Sequence, residues 1–239
     1  MTAAHEVKSQ VRDFLASRVE AGDTVLLGVS GGADSLALAA ACADLSQELV
    51  ITFVPIIIDH QLQAGSDAVA QHAAEQCRKL GLNNAQVVPV NVDLTSDGLE
   101  AAARLARYAA FHDAIAHTGA VAILLAHSLE DQAETVLMRL SRGSGTRSIS
   151  AMAAEQGVVW RPLLSVARAT LRRAAQELQL DSHDDAHNFD ERFLRVKVRQ
   201  RLMPVLREVL GDKVDEALAR TAWLARQDAD ALDEIAEVE

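Results

Sequence analysis

Residues 30–35 read Ser30-Gly31-Gly32-Ala33-Asp34-Ser35, two hydroxyls and two glycines around one carboxylate, set between an apolar run and a helix-forming stretch. A Gly-rich turn entering a helix makes an anion site. The first helical N–H groups lack intrahelical partners, glycine lets the backbone approach closely, and the Ser30 and Ser35 hydroxyls add donors. Asp34 repels a phosphate unless a cation stands between them, so its expected use is to hold Mg2+ that bridges phosphate oxygens. The purely structural alternative is a strand-to-helix turn capped by Ser and Asp. No Lys follows the glycines, so this is not a Walker A loop, and it is not the G-x-G-x-x-G of dinucleotide folds.

Further candidates lie downstream. Asp59-His60 closes a second apolar run, where a carboxylate and an imidazole reach a nucleotide or merely turn the chain. Glu100, Arg104, Arg107 and Tyr108 fall at helical spacings i, i+4, i+7 and i+8, hence on nearly one face. They suit phosphate contact, or a solvated Glu100–Arg104 pair. His127 precedes Ser128-x-x-Asp131, a capping-box pattern in which Asp131 can simply cap the helix. Asp131, Gln132, Glu134 and Thr135 also crowd acids and amides into the first helical turn, a setting that can anchor an ammonium and ease its deprotonation. Glu130 stands behind them. Without Cys or a second His, His127, Asp131 and Glu134 do not make a structural zinc site.

Arg139, Arg142 and Arg147 surround Gly143-Ser144-Gly145, and Arg192, Arg195, Lys197, Arg199 and Arg201 follow. Such a run suits a phosphate backbone, or is a solvated helix face. The chain's net charge of −11 argues at first against nucleic acid, yet residues 139–207 hold 13 Lys+Arg against 7 Asp+Glu. The basic charge is regional, and phosphate neutralisation is what it would serve. Aromatics make up only 3% of the chain, too few for a base-stacking platform. Cys42 and Cys77 belong to no CxxC pair and read as small core residues. No apolar run reaches the roughly 18 residues of a membrane span, and the polar N-terminus lacks a secretory h-region. A cytoplasmic location without membrane association is expected.

The elements that must position these residues alternate. Short strands are expected over 24–29, 49–58, 86–92 and 121–126. Helices are expected over 36–45, 66–80, 99–117 and 129–140, after an N-terminal amphipathic helix. A further strand at 158–160 and helices over 166–178, 189–209 and 212–235 complete the pattern. Strands apolar on both faces, alternating with helices, indicate an α/β fold with a parallel sheet of about five strands covered on both sides and followed by C-terminal helices. Such sheets bind ligands at the carboxyl ends of their strands. A soft boundary falls at Leu210-Gly211, dividing a catalytic domain, 1–210, from a long linker helix, 211–239.

The hexapeptide resembles the PP-loop of the N-type ATP pyrophosphatases. With Asp59-His60, residues 100–108 (EAAARLARY), residues 126–145 (AHSLEDQAETVLMRLSRGSG) and the stretch from Asn188 to Arg199, the chain resembles the tRNA(Ile)-lysidine synthetase family over about residues 22–230. Three departures stand out. Gln61-Leu62-Gln63 replaces a stretch that usually includes Arg, Glu130 replaces an Asp, and Asp185-Ala186-His187-Asn188 replaces Asp-Pro-Ser/Thr-Asn.

The resemblance implies an enzyme in which ATP is bound by Ser30, Gly31, Gly32, Ala33, Asp34, Ser35, Asp59, His60 and Arg107, with Mg2+ on Asp34. It implies that lysine is held by Asp131, Gln132 and Glu134, and tRNA by Arg104, Arg139, Arg142, Arg147, Arg195 and Arg199. Asp34, Asp131 and His127 are the catalytic candidates. The wobble cytidine O2 of tRNA(Ile) with a CAU anticodon would be adenylated with release of pyrophosphate, and lysine's ε-amine would then displace AMP to give lysidine. The alternatives are another PP-loop enzyme acting on tRNA, such as a thiolase, or a non-catalytic ATP/AMP-binding module. Family members usually continue into a separate tRNA-binding domain, which is expected to be missing from this chain. A homodimer is compatible with the sequence.

Overall fold

The computed structural model of the chain describes residues 1–62, 65–92, 98–143, 145–183 and 190–238. Asn188 and His187, together with Ser144 and the Glu100 side chain, lie outside the described residues. The chain divides into two compact units. The first comprises Met1–Ala126, Glu155–Leu163 and Ala169–Asp185. The second comprises His127–Ala154, Leu164–Arg168 and Ala186–Glu239.

The first unit is an α/β layer structure. Its elements are α1 (Ala3–Leu15), β1 (Thr24–Gly28), α2 (Ala33–Leu49), β2 (Thr52–Asp59), α3 (Ser66–Lys79), β3 (Gln86–Pro89), α4 (Leu99–Thr118) and β4 (Ala122–Leu125). The sheet runs β3-β2-β1-β4-β6-β5, completed by β5 (Glu155–Gln156) and β6 (Val159–Trp160). Five strands are parallel and β5 pairs antiparallel with β6. Leu26, Val54, Ile56, Phe111, Ile123, Leu125 and Val159 form the core on the α4 side. By strand alternation Val25 and Leu27 point to the other face, where they are fully buried. Every residue of α2 from Ser35 to Cys42 is buried, which explains its alanine content: a helix enclosed on all sides needs small side chains.

Two local departures from the sequence reading have physical causes. Helix α2 runs on to Leu49, where a strand is expected to begin, and stops because Val50 adopts the left-handed conformation at φ 55°. The sixth strand, β5, is a two-residue polar edge strand joined to β6 by Gly157-Val158, with Gly157 at φ 55° supplying the hairpin turn. Pro55 is tolerated inside β2 because of where β3 starts. Ile56 bonds toward β1, its carbonyl accepting from the Val29 N–H, so Pro55 faces the β3 side. There Ile56 is already opposite the first residue of β3, Gln86, and the missing Pro55 donor falls ahead of the ladder.

The second unit is helical: α5 (Leu129–Leu140), α6 (Thr146–Ile149), α8 (Leu194–Lys197), a π turn (Val198–Leu202), α9 (Met203–Leu210) and α10 (Val214–Val238). Helix α7 (Arg168–Glu177) starts with the last residue of this unit and continues in the first. The expected single helix over 189–209 is broken into α8, π turn and α9 because Pro204 sits within it. Proline lacks the N–H and its ring clashes with the carbonyl four residues back. The Met203 N–H bonds instead to the Val198 carbonyl, five residues back. Ala133, Val198, Met203 and Val214 form one core, and Val136, Ala151 and Ala222 a second, so α10 packs along α5. None of the described helices is long and apolar enough to cross a membrane.

Candidate functional site

In the first unit the loop after β1 is closed by its own hydroxyls. Ser35 Oγ donates to the Gly32 carbonyl at 2.9 Å, accepts from the Ser30 N–H at 3.1 Å, and lies 3.2 Å from Ser30 Oγ. Gly31 sits at φ 83°, a conformation that favours glycine, and a Cβ there would come within 3.2 Å of the Ala73 Cβ on α3, a tight contact that adds to the preference. The Gly31 carbonyl accepts from the His183 N–H at 3.0 Å, and because the peptide is planar this fixes the following N–H, which points at Ser30 Oγ at 3.4 Å. Gly32 is the N-cap of α2 and has no side chain to cap it, so Asp34 stands in the first turn of a helix whose leading N–H groups face the loop. Ser30 is exposed, Gly31 and Ser35 are buried, and Gly32, Ala33 and Asp34 are half-buried.

Asp59 ends β2, next to β1 in the sheet, and is buried; its carboxylate accepts from the Gln61 N–H at 3.0 Å, which turns the chain there. His60 follows, half-buried. On α4, exposed Arg104 and half-buried Arg107 flank Tyr108. The Arg104 guanidinium lies 4.7 Å from the Tyr108 ring centre and donates to its hydroxyl at 3.1 Å. Burial favours the neutral phenol, but Arg104, the hydrogen bond from Arg161 and the charge of Arg107 together lower its pKa.

In the second unit α5 opens with a complete capping box. Ser128 Oγ accepts from the Asp131 N–H, and Asp131 Oδ2 accepts from the Ser128 N–H at 2.9 Å. The same carboxylate is the hub of an ion-pair network. Asp131 Oδ1 meets Arg168 Nη2 at 2.8 Å and Arg199 Nη2 at 2.9 Å. Glu134, only 1% exposed, takes a two-pronged contact from Arg199 at 2.7 and 2.9 Å. Arg195 donates to Thr135 Oγ1 at 3.2 Å, and the Glu130 carboxylate accepts from the Arg168 N–H at 2.8 Å. Burial alone would raise the Asp131 carboxyl, but Arg168, His127, Arg199 and the Ser128 N–H hold it well below the usual carboxylate range. His127, half-buried, opens this unit.

The residues expected to hold tRNA therefore divide. Arg195 and Arg199 join the acids expected to hold lysine. Arg139 donates to the carbonyls of Ser148 and Ala151, where α6 ends, and Arg147 pairs with Asp233 on α10. Arg142 is exposed. The Gln132 amide is clamped to the Met152 backbone, donating to its carbonyl at 2.8 Å and accepting from its N–H at 3.0 Å. Sequence reasoning missed Arg168 as a partner of Asp131 and Arg161 as a partner of Tyr108. The signal for the first was available: three acids in one helical turn, two of them buried, require cations beside them.

Mg2+ fits the donor set. Magnesium is usually held by one or two carboxylates together with substrate phosphates rather than by an all-protein cage, and Asp34 at a phosphate-type loop is such a carboxylate. No group of three His, Cys, Asp or Glu that could hold a metal occurs among the described residues. Cys42 and Cys77 are buried in α2 and α3, where burial pushes both thiols up, Cys77 to about 11.

Residues 3–206 match the family model of the PP-loop domain. The chain is 48% identical over 231 residues to the tRNA(Ile)-lysidine synthase of Rhodococcus opacus (strain B4), an alignment covering 97% of this chain and 68% of that one. It is 49% identical over 215 residues to the tRNA(Ile)-lysidine synthase of Leifsonia xyli subsp. xyli (strain CTCB07), covering 90% and 64%. The chain thus spans about two thirds of the length of these curated relatives. Among solved structures, the U34-tRNA thiolase of Methanococcus maripaludis with its 4Fe-4S cluster is similar, with a TM-score of 0.76 at 16% identity over 92% of this chain and 78% of that one. That likeness speaks for the fold.

Proposed function

The chain belongs to the tRNA(Ile)-lysidine synthase family, ligases built on a PP-loop domain, and from that premise we propose that it joins lysine to C2 of the wobble cytidine of tRNA(Ile) with a CAU anticodon, in the cytoplasm. The observation that carries the reading is the shape of the 30–35 loop. Gly31 at φ 83°, the Ser30–Ser35 closure and the open N-terminus of α2 make a preformed cradle for a polyphosphate.

In this reading the loop N–H groups and the Ser30 and Ser35 hydroxyls orient the β- and γ-phosphates of ATP, and Asp59, His60 and Arg107 serve the same nucleotide. Mg2+ on Asp34 supplies charge neutralisation at the phosphates. The cytidine O2 attacks the α-phosphorus, the bond to the β-phosphate breaks, and pyrophosphate leaves. The loop donors and Arg107 stabilise the charge that gathers on the phosphoryl oxygens. The lysine ε-amine then attacks C2 and AMP leaves with the C2 oxygen. Asp131 and Glu134 hold the lysine with Gln132 beside them; Asp131, kept ionised by its arginines, serves the reaction by anchoring the ammonium, and His127 takes the proton that the amine gives up. Arg104, Arg139, Arg142, Arg147, Arg195 and Arg199 hold tRNA. Since Arg199 already engages Asp131 and Glu134, and Arg195 lies 3.8 Å from Asp131 Oδ1, lysine and tRNA binding are coupled through shared partners. In this reading the chemistry lies within residues 1–210.

The test is lysine-dependent release of AMP on addition of this tRNA. The wild-type chain should release pyrophosphate with tRNA alone and AMP only when lysine is added. Asp34→Ala should abolish pyrophosphate release while circular dichroism stays unchanged, and undiminished release in that variant would refute the assignment. Thiolation is the weaker reading, because both cysteines are buried within helices.

A further inference from the structure

Tyr108 is the chain's only tyrosine, and three guanidinium groups of the first unit converge on it. Its ring packs edge-on against Phe111 at 6.0 Å, which ties it to the sheet core. Its hydroxyl accepts from Arg104 Nη2 at 3.1 Å on the solvent side and from Arg161 Nη2 at 3.4 Å on the buried side. The Arg107 guanidinium stands 5.7 Å from the same ring. Arg161 is 2% exposed and follows directly on β6.

Withdrawing a guanidinium from water is costly and placing two more beside it adds repulsion, so a packing role alone would have favoured an apolar side chain at position 161. A chain of contacts from the core outward does have a use. Arg104 is a long side chain with many rotamers, and an anion that binds it must first order it. A phenol held rigidly from behind, presenting an aromatic face and an acceptor oxygen, selects one orientation in advance.

We propose that Tyr108 and Arg161 are positioning residues. Arg161 fixes the phenol, and the phenol holds Arg104 and Arg107 as one preorganised pair of guanidiniums for phosphate oxygens. This rests on the reading of α4 as a phosphate-facing helix. The phosphate comes from ATP or from the tRNA backbone, the shared chemistry being a planar donor fork on a phosphoryl group.

Tyr108→Phe keeps the ring, its packing on Phe111 and both cation–π contacts while deleting only the hydroxyl. It should weaken binding of one phosphate ligand about tenfold, the scale of one hydrogen bond to a charged group. The fold should survive, with the thermal midpoint lowered modestly because buried Arg161 loses an acceptor, and KM for that ligand should rise with kcat unaltered. Titrating ATP alone, and a tRNA(Ile) transcript alone at fixed salt, identifies which ligand the pair serves. Because the hydroxyl acts through Arg104, Tyr108→Phe should add nothing in an Arg104→Ala background. If Arg104→Ala weakens either ligand while Tyr108→Phe weakens neither, or if the two losses add, the positioning role is overturned and the reading of α4 survives. If Arg104→Ala and Arg107→Ala both leave ATP and tRNA binding intact, that reading falls and the proposal with it.

Discussion

Asp131→Asn isolates what the ion-pair hub on α5 contributes. The substitution keeps the shape and one acceptor for the Ser128 end of the capping box, but it removes the charge facing Arg168 at 2.8 Å and Arg199 at 2.9 Å. Each charge-assisted hydrogen bond is worth about 1.5–3 kcal/mol. Arg199 retains Glu134, and with 31% of its side chain exposed it is partly resolvated, so the two losses together come to about 2–3 kcal/mol. Losing the cap alone, as in Ser128→Ala, costs about 1 kcal/mol. Urea unfolding followed by circular dichroism, with the slope unchanged, should therefore rank Asp131→Asn clearly below Ser128→Ala.

The pH dependence carries a second check. The folded Asp131 carboxyl is held below its unfolded value of about 3.9, so between the two the unfolded chain binds the extra proton. Its contribution is complete above about pH 5 and declines as the pH falls below about 4. The gap between wild type and Asp131→Asn should persist at pH 5 and narrow in stronger acid. Equal stabilities for Asp131→Asn and Ser128→Ala, or a gap already closed at pH 5, would refute this account of the network.

Three other outcomes follow from backbone geometry. Val50, a β-branched residue at φ 55° with 62% exposure, ends α2 under strain, and Val50→Gly should raise stability by about 0.5–1 kcal/mol, read as an upward shift in Tm. A Cβ at Gly28 would lie 2.5 Å from Leu125 Cδ2 and 3.3 Å from Phe111 Cζ, so Gly28→Ala should destabilise by about 1–3 kcal/mol, and Leu125→Ala should recover part of that loss in a double-mutant cycle. Gly31→Ala must hold φ 83° against Ala73, and ATP titration should show at least a tenfold loss of affinity; wild-type affinity would mean the loop does not contact nucleotide.

Where physical signals were local, the sequence was informative. The 24–28 strand, the Gly-rich turn and helix 129–140 follow from apolar runs, glycine and the Ser128 to Asp131 cap, and they stand in the structure within a residue or so. The exit of α2 was hidden because Val50 carries no stop signal: a β-branched residue takes the left-handed position where glycine or asparagine is usual. Pro204 was a legible warning against an unbroken helix. Arg161 and the double use of Arg139 were not legible, and the acids of α5 called for a cation without pointing to Arg168, since nothing in its neighbours tells a basic side chain that faces solvent from one that ends on a carboxylate, a phenol or a run of carbonyls. The basic segment that suggests an RNA surface from composition spends several of its charges inside the second unit.

The π turn at 198–202 bears on how this segment tolerates change. It is an α-helix carrying one surplus residue, and that surplus is what lets Val198 and Met203, five apart, enter the same core with Ala133 and Val214. Deleting a single residue there would remove the surplus and swing α9 by about 100° about its axis, roughly one residue's share of a 3.6-residue turn. Met203 and Leu206 would be turned off their packing, and Arg207 away from its fork on Asp215. Single-residue insertions and deletions should thus be purged from this stretch far more strictly than substitutions at its exposed position 200, a bias that a library of length variants would expose directly.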